Sequence, residues 1–377
     1  MPELVVLAEQ LLAAVPGGTG RYTGQLAAAL ARTAPQGWTV TGVVARHRDI
    51  EAARIDGVAG PRVLPLPSRA LITAWDRGLP LWPGGDSVHA PTPLAPPRLP
   101  RGRGLVVTVH DTVPWTHPET LTARGASWHR RVIGRATRRA DAVVVPTAAV
   151  AAQLRGYLPG AAPVEVIGHG VSSTVTAPVA DSEGIAERLA LPDRYVLAVG
   201  TVEPRKGLDV LIEAMSMAAG PEVPLVVAGP EGWGGVRLEE IASRHGLPRA
   251  RLRVLGRLTD RQLAVTLRRA SVLAVPSLAE GFGLPLLEGM ATGVPVVHSD
   301  AQTLVEVAGG SGLVVPRGDA AALALALRSV LAEPAATGSR VAAGKVRAAL
   351  FTWDAAAVAT WDVHVRCYLR RQFPHSG

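Results

Sequence analysis

A chain of 377 residues exceeds one ordinary hydrophobic core and suits two, and 48% hydrophobic against 19% charged residues is a folded composition, not a disordered one. One cysteine, Cys367, excludes an internal disulfide and any cysteine-rich metal site, and no run approaches the roughly 18 apolar residues of a membrane span. The net charge of +8 sits mostly in the first half, where residues 1–180 hold 18 Arg against 11 acids while 181–377 hold 21 Arg and Lys against 20 acids.

The first residues, Met1-Pro2-Glu3-Leu4-Val5-Val6-Leu7, put no basic stretch ahead of the apolar one, so they read as a strand and not as a signal peptide. A cytoplasmic location is the expectation. Strands are predicted at Glu3–Ala8, Thr39–Ala45, Arg62–Leu66, Leu105–His110, Ala142–Pro146 and Val164–Ile167. Pro16-Gly17-Gly18-Thr19-Gly20-Arg21-Tyr22 follows the first of these and leads into a helix over Tyr22–Ala31. Amides at Gly17 and Gly18 suit a phosphate or an acceptor, although such glycines also serve plain tight turns. From 46 to 104, Pro, Gly and Arg break every pattern and the path of the chain is not legible.

The strand at Leu105 ends in His110-Asp111, where a histidine can donate to a hydroxyl and the aspartate can orient it. A histidine satisfied within the core is the plainer alternative. Arg124, Arg131, Arg135 and Arg138 recur at helical spacing with Trp128 among them, opposite Val132, Ile133, Ala136 and Ala140. They form a solvated basic face, or one that docks on anionic lipid headgroups at the inner face of the plasma membrane. With aromatics at 4% and no helix-turn-helix, zinc-finger or aromatic RNA-binding signature, no nucleic-acid partner is expected.

Periodicity is lost over Val171–Glu183, which suits an interdomain linker. Beyond it, strands are predicted at Tyr195–Gly200, Leu225–Gly229, Arg253–Leu255, Ser271–Pro276, Val294–His298 and Leu313–Val315. Helices fall between them at Leu208–Ala219, Val236–His245, Asp260–Arg269, Pro285–Thr292 and Asp319–Glu333, and a last one covers Trp353–Arg371. Strict alternation of this kind implies a parallel, doubly wound sheet. The expected domains are 1–175, 176–352 and a terminal helical segment, 353–377.

Three stretches of the second half carry chemistry. Gly200-Thr201-Val202-Glu203-Pro204-Arg205-Lys206-Gly207 ends a strand and opens a helix, and its adjacent cations can neutralise a diphosphate, Arg as a fork and Lys as a point charge. A solvated loop pair has the same sequence, but only two of the 39 basic residues here are Lys. Thr259 and Gln262 are placed as a capping box at the start of a helix. Ala279-Glu280-Gly281-Phe282-Gly283-Leu284-Pro285-Leu286-Leu287-Glu288-Gly289 follows a buried strand, with Pro285 fitting a helix start and Gly293 its end. The eight-residue offset brings Glu280 and Glu288 to one helix mouth at the carboxyl end of a strand, where open α/β sheets bind ligands. An acid favoured by the helix dipole and a solvated loop acid would look alike.

The segment EGFGLPLLE resembles the Glu-x7-Glu signature of the retaining glycosyltransferases of family 4, which have the GT-B fold: two facing Rossmann-like domains with parallel sheets and a cleft between them. The resemblance implies that Glu280 contacts donor-sugar hydroxyls and Glu288 the ribose, with the amides of Gly281, Phe282, Gly283 and Leu284 on sugar and phosphate. GTVEPRKG is similar to the family's G-x4-RKG segment, whose Arg and Lys bind the donor diphosphate, here Arg205 and Lys206. PGGTGRY is similar to the G-G-x-G-R-Y segment of bacterial members, and VHDTVPWTHPE to the V-H-D-x-x-P element of the mannosyltransferase-like branch. These put Gly17 and Gly18 near phosphate or acceptor, His110 beside the reacting sugar and Asp111 near the acceptor. Leu258 is implied as a nucleobase contact. Gly168 departs from the family pattern, which usually has Pro in that loop.

What the resemblance implies is transfer of a hexose from a nucleotide-diphosphate sugar, with retention, to a glycan, lipid-linked or natural-product acceptor. GDP-mannose is the first expectation for the donor and UDP-glucose the next. The N-terminal domain presents the acceptor, the C-terminal domain holds the donor, and the last helix crosses back to the first domain. No protein nucleophile and no cofactor are implied. The chain contains no DxD triplet, so no metal is expected, and Arg205, Lys206 and helix amides take the place of one. A nucleotide-sugar epimerase on the same scaffold and a catalytically silent nucleotide-sugar binder remain the alternatives.

Overall fold

The computed structural model describes residues 1–372; Gln372 ends the last helix, and the final five positions of the expected 353–377 segment lie outside the described residues. Contacts divide the chain into two units, Met1–Gly170 together with the residues from Thr352 onward, and Val171–Phe351.

The first unit is built on seven parallel strands: β1 (Glu3–Leu7), β2 (Thr39–Arg46), β3 (Ala59–Pro67), β4 (Ser87–Ala90), β5 (Gly104–Thr108), β6 (Ala142–Val145) and β7 (Val164–Val166). Their order is β3-β2-β1-β4-β5-β6-β7, so the sheet grows in both directions from β1 and β4. Strands β1, β5 and β6 carry apolar runs on both faces because helices cover both, and Val5, Val88, Leu105, Val107 and Val143 are fully buried. Helix α1 (Gly17–Arg32), α2 (Ser68–Asp76) and α3 (Ala123–Arg139) belong to this unit.

Two sequence expectations change here. Helix α1 starts at Gly17 and not at Tyr22, because the amide of Gly20 already donates to the Pro16 carbonyl at 2.8 Å; the glycines form the first turn and not a loop ahead of it. Strand β4 falls in the stretch with no legible pattern, since half of its four residues, Ser87 and His89, are polar yet wholly buried.

The second unit carries six parallel strands: β8 (Val196–Val199), β9 (Leu225–Ala228), β10 (Leu252–Gly256), β11 (Val272–Val275), β12 (Val296–Ser299) and β13 (Leu313–Val315), in the order β10-β9-β8-β11-β12-β13. The order reverses between β8 and β11, the switch point at which a doubly wound sheet opens a crevice at its carboxyl edge. Helix α4 (Leu208–Ser216) follows β8, α5 (Asp260–Arg269) precedes β11, and α6 (Leu284–Thr292) follows β11. The capping box of α5 is formed: Gln262 N donates to Thr259 Oγ1 at 3.3 Å and Thr259 N to Gln262 Oε1 at 2.9 Å. Helices Gln302–Ala308 and Pro334–Ala349 were not expected from the sequence, nor were Ser173–Thr176 and Ser182–Arg188, which begin within the stretch read as an interdomain linker.

Helix α7 (Trp353–Gln372) belongs to the first unit and packs on α1 and β5. Trp361 donates from its indole nitrogen to the Leu30 carbonyl at 2.9 Å, and both Trp353 and Trp361 are buried. No single helix among the described residues is long and apolar enough to cross a membrane.

Candidate functional site

The carboxyl ends of β8 and β11 gather the charged residues of the second unit. After β8 the chain turns at Gly200 and makes one 3-10 turn, Pro204–Lys206, before Gly207 starts α4. Gly207 has φ +63°, and a Cβ there would stand 2.3 Å from the carbonyl oxygen of Pro276, so only glycine lets this turn lie against the end of β11. The amide of Leu278 donates to the Arg205 carbonyl at 2.8 Å and ties the two loops together.

The result is a cluster of two cations and two carboxylates. Lys206 Nζ lies 2.6 Å from Glu280 Oε1, and Arg205 Nη1 lies 3.1 Å from Glu280 Oε2, while its Nη2 lies 2.7 Å from Glu203 Oε1. Ser277 Oγ also donates to Glu280 Oε1 at 2.8 Å, and Thr303 donates to the Glu280 carbonyl at 2.9 Å. The Glu280 side chain is only 7% exposed. Burial raises its pKa, but Lys206 and Arg205 outweigh burial and hold it at about 2, so it is ionised throughout the neutral range. Burial, and then the Arg205 charge, lower the pKa of Lys206, while Glu280 acts to raise it.

Glu288 lies on α6, which begins after Gly283 in the left-handed region (φ +93°) and carries Pro285 in its first turn; Gly293, also left-handed, closes it. The Glu288 side chain is buried, the residue being 1% exposed. Gly289, on the next position, packs α6 closely on the sheet: a Cβ there would approach Leu273 Cδ2 to 2.5 Å. Phe282 and Leu284 are buried and Leu258, at the turn before α5, is half-buried.

His110 and Asp111 stand at the carboxyl end of β5 in the first unit. His110 Nε2 meets the Pro91 carbonyl at 2.8 Å, and since a carbonyl only accepts, that nitrogen is the N–H. Burial lowers the pKa of His110, with the Pro91 bond and Asp111 acting to raise it. The neutral ring therefore offers Nδ1 as an acceptor, which corrects the expectation that His110 donates. The bonds that Asp111 and the ring make run to other groups. Asp111 Oδ1 accepts from Val113 N at 3.1 Å and opens the next helical turn, and Pro91 holds His110 in its place. Gly17 and Gly18 have open space beside their backbones, with nothing beyond their chain neighbours and their own helix backbone within 4 Å of an added Cβ.

On α3, Arg131 Nη2 and Arg135 Nη1 each lie 3.2 Å from a carboxylate oxygen of Asp76, and Arg135 also donates to the carbonyls of Trp75 and Asp76. Two of the four arginines of the basic face are thus engaged with α2. Among the described residues, no group of three or more His, Cys, Asp or Glu is arranged to hold a metal ion.

Glu203, Ser277 and Thr303 were missed by sequence reasoning. Glu203 lies inside the Gly200–Gly207 stretch and Ser277 in the loop directly after β11, so position alone could have raised both; nothing in the sequence marks Thr303.

Comparison with known proteins gives the same architecture. The family model described as Glycosyltransferase Family 4 matches residues 16–174, and that described as Glycosyl transferases group 1 matches 181–345. The chain is 35% identical over 163 residues to the O-antigen chain mannosyltransferase B of Escherichia coli, covering 42% of each protein. It is 33% identical over 267 residues to a D-inositol 3-phosphate glycosyltransferase of Streptomyces avermitilis, covering 66% of this chain and 57% of that one. The chain thus spans about half the length of these relatives. The solved structure of sucrose-phosphate synthase from Thermosynechococcus elongatus superimposes with a TM-score of 0.77 at 25% identity, covering 97% of this chain and 99% of that one.

Proposed function

Because this chain belongs to the family 4 glycosyltransferases of the GT-B fold, we propose that it transfers a hexose, mannose in the first instance, from a nucleotide-diphosphate sugar to an acceptor hydroxyl. The observation that carries the reading is the cluster of Arg205, Lys206 and Glu280 at the carboxyl ends of β8 and β11. Likeness to an O-antigen chain mannosyltransferase supports mannose. GDP-mannose is the donor proposed, ahead of UDP-glucose. The acceptor is a glycan, a lipid-linked sugar or a natural product.

In this structure Glu280 and Glu203 balance Arg205 and Lys206. A donor diphosphate exchanges with Glu280 as their partner, since its oxygens offer a denser charge and more acceptor positions than one carboxylate. Glu280, released from Lys206, then receives hydroxyls of the sugar. Glu288 accepts from the ribose, and the α6 amides face the phosphate. His110 accepts a sugar hydroxyl through Nδ1.

The bond from the sugar's anomeric carbon to the diphosphate oxygen breaks, and the diphosphate leaves with the electron pair. The acceptor oxygen bonds to the anomeric carbon on the same face and its proton passes to the departing phosphate. Arg205 and Lys206 stabilise the charge that grows on that phosphate, the work a metal ion would otherwise do. We place the enzyme in the cytoplasm, with contact to an anionic membrane resting chiefly on Arg124 and Arg138.

Incubation with a panel of intact donors, read as thermal stabilisation and released nucleotide, tests the reading. Stabilisation by GDP-mannose with release of GDP supports it. A new sugar nucleotide would make the protein an epimerase, and stabilisation without any turnover, given a range of acceptors, would make it a binder.

A further inference from the structure

Behind His110 the first unit contains a continuous chain of buried polar side chains that the proposed reaction does not use. Ser87 Oγ meets His364 Nδ1 at 2.7 Å, and His364 Nε2 meets His89 Nδ1 at 3.1 Å. His89 Nε2 lies 3.3 Å from Thr108 Oγ1 and 3.5 Å from Tyr22 OH, which are 2.9 Å from each other. Ser87, His89 and His364 are completely buried, and Tyr22 and Thr108 nearly so. The members come from β4, β5, α1 and α7, and the His89–His364 contact joins residues 275 apart in sequence.

This chain ends against the His110 ring from several sides. The Tyr22 ring stands edge-on to His110 at 4.7 Å between centroids, with the His169 ring 4.7 Å from Tyr22 and 5.6 Å from His110. Trp353, the first residue of α7, stacks on His169 at 5.9 Å. Thr108 ends β5 two residues before His110, and Pro91, whose carbonyl holds His110 Nε2, directly follows β4, two residues after His89. Both strands that fix His110 are thus tied to the same buried bonds.

The bonds also couple the two imidazoles. Burial keeps both rings neutral, so the nitrogen-to-nitrogen contact holds a single proton. If His364 Nε2 donates, His364 Nδ1 must accept from Ser87, and His89 Nε2 donates to Thr108 or Tyr22. If His89 Nδ1 donates, each of these directions reverses. The tautomer of a residue on α7 therefore sets the direction of the bond that holds Tyr22 against His110.

Resting on the role of His110 given above, we infer that His364 is a positioning residue: acting from the C-terminal helix through His89, Thr108 and Tyr22, it fixes the seat and orientation of the His110 ring. The ring contacts substrate; His364 does not.

The full-length protein with nitrogen-15 histidine tests this by NMR of the ring nitrogens alongside donor kinetics. His364→Phe keeps a ring of similar volume and removes both nitrogens. It is expected to shift the His110 ring resonances, assigned by their loss in His110→Gln, and to lower kcat by about tenfold or more at unchanged donor KM, the signature of a misplaced reacting group. Tyr22→Phe removes only the hydroxyl and should shift the same resonances and move kcat in the same direction; if His364→Phe fails to fold, this variant decides alone. Folded variants that leave the His110 resonances in place, or that keep kcat within about twofold, would overturn the inference. Should the wild type turn over no donor at all, the proposed function falls, and the resonances still decide whether His364 positions His110.

Discussion

The ammonium of Lys206 lies 2.6 Å from Oε1 of Glu280, so the first carboxylate of the Glu-x7-Glu stretch is the counter-ion of the lysine that the proposed reaction assigns to the diphosphate. In the proposed reaction a sugar-facing acid and a phosphate-facing base thus share one contact, and donor binding opens it.

Lys206→Ala removes the cation that, in the proposed reaction, bonds the leaving phosphate more strongly as that phosphate departs. The expected loss is roughly 3 kcal/mol or more of transition-state stabilisation, about a hundredfold in kcat/KM. Initial rates with the full donor measure it, and transfer within about threefold of wild type would make Lys206 no more than Glu280's buried partner.

Gly207→Ala tests the turn that presents Arg205 and Lys206. Its φ of +63° and the Pro276 carbonyl 2.3 Å from the position of a Cβ leave no room for alanine. Destabilisation of about 1–3 kcal/mol is expected, with a loss of donor affinity as the loop shifts. Unchanged melting and unchanged donor binding would show that the turn tolerates a side chain.

Acid should unfold the first unit before the second. Burial lowers the pKa of His89 to about 3 and those of His169 and His364 well below 6.5, with His110 lowered as well. The unfolded chain takes up protons near pH 6.5 that these folded rings refuse. Their contribution is therefore complete above pH 6.5 and declines as pH falls below it. Glu280, held at about 2 against 4.5, contributes in full above pH 4.5 and is lost only as pH falls toward 2; the second unit has His298 as its one strongly buried histidine of this kind. Of the eight tryptophans only Trp233 lies between 171 and 351, so tryptophan fluorescence follows the first unit and hydrogen exchange the second. Coincident transitions, or a fluorescence change only below pH 4, would contradict this ordering.

Activity is expected to survive saturating EDTA, because the proposed reaction has Arg205 and Lys206 supply the charge at the leaving phosphate. An absolute requirement for added Mg²⁺ or Mn²⁺ in the transfer assay would require a metal site that the sequence and the described residues do not reveal.

How far the sequence could be read follows from where each signal resides. The central strands announce themselves because sheets covered on both faces demand unbroken apolar runs, as in Leu105-Val106-Val107 and Val272-Leu273-Ala274-Val275. Helix α6 was legible in Pro285 and Gly293, which act locally. Strand β4 was not, since Ser87 and His89 make sense only beside His364, which comes from the far end of the chain. The site divides in the same way. Arg205, Lys206 and Glu280 are visible as residue types at a strand's end, whereas their pairing with one another, and Pro91 in place of Asp111 as the partner of His110, depend on contacts that no local spacing records.

The central claim is that donor diphosphate replaces Glu280 on Lys206 and Arg205. Calorimetric titration of wild type and Glu280→Gln with the same intact nucleotide sugar, whose diphosphate carries no proton to exchange near neutrality, tests it most directly. With the competing carboxylate gone, Glu280→Gln should bind the donor at least as tightly as wild type while transfer collapses, and Glu288→Gln should lose affinity for the nucleotide. A Glu280→Gln protein whose donor affinity falls along with its rate, by the same factor as Glu288→Gln, would contradict the exchange and leave Glu280 as one more binding contact.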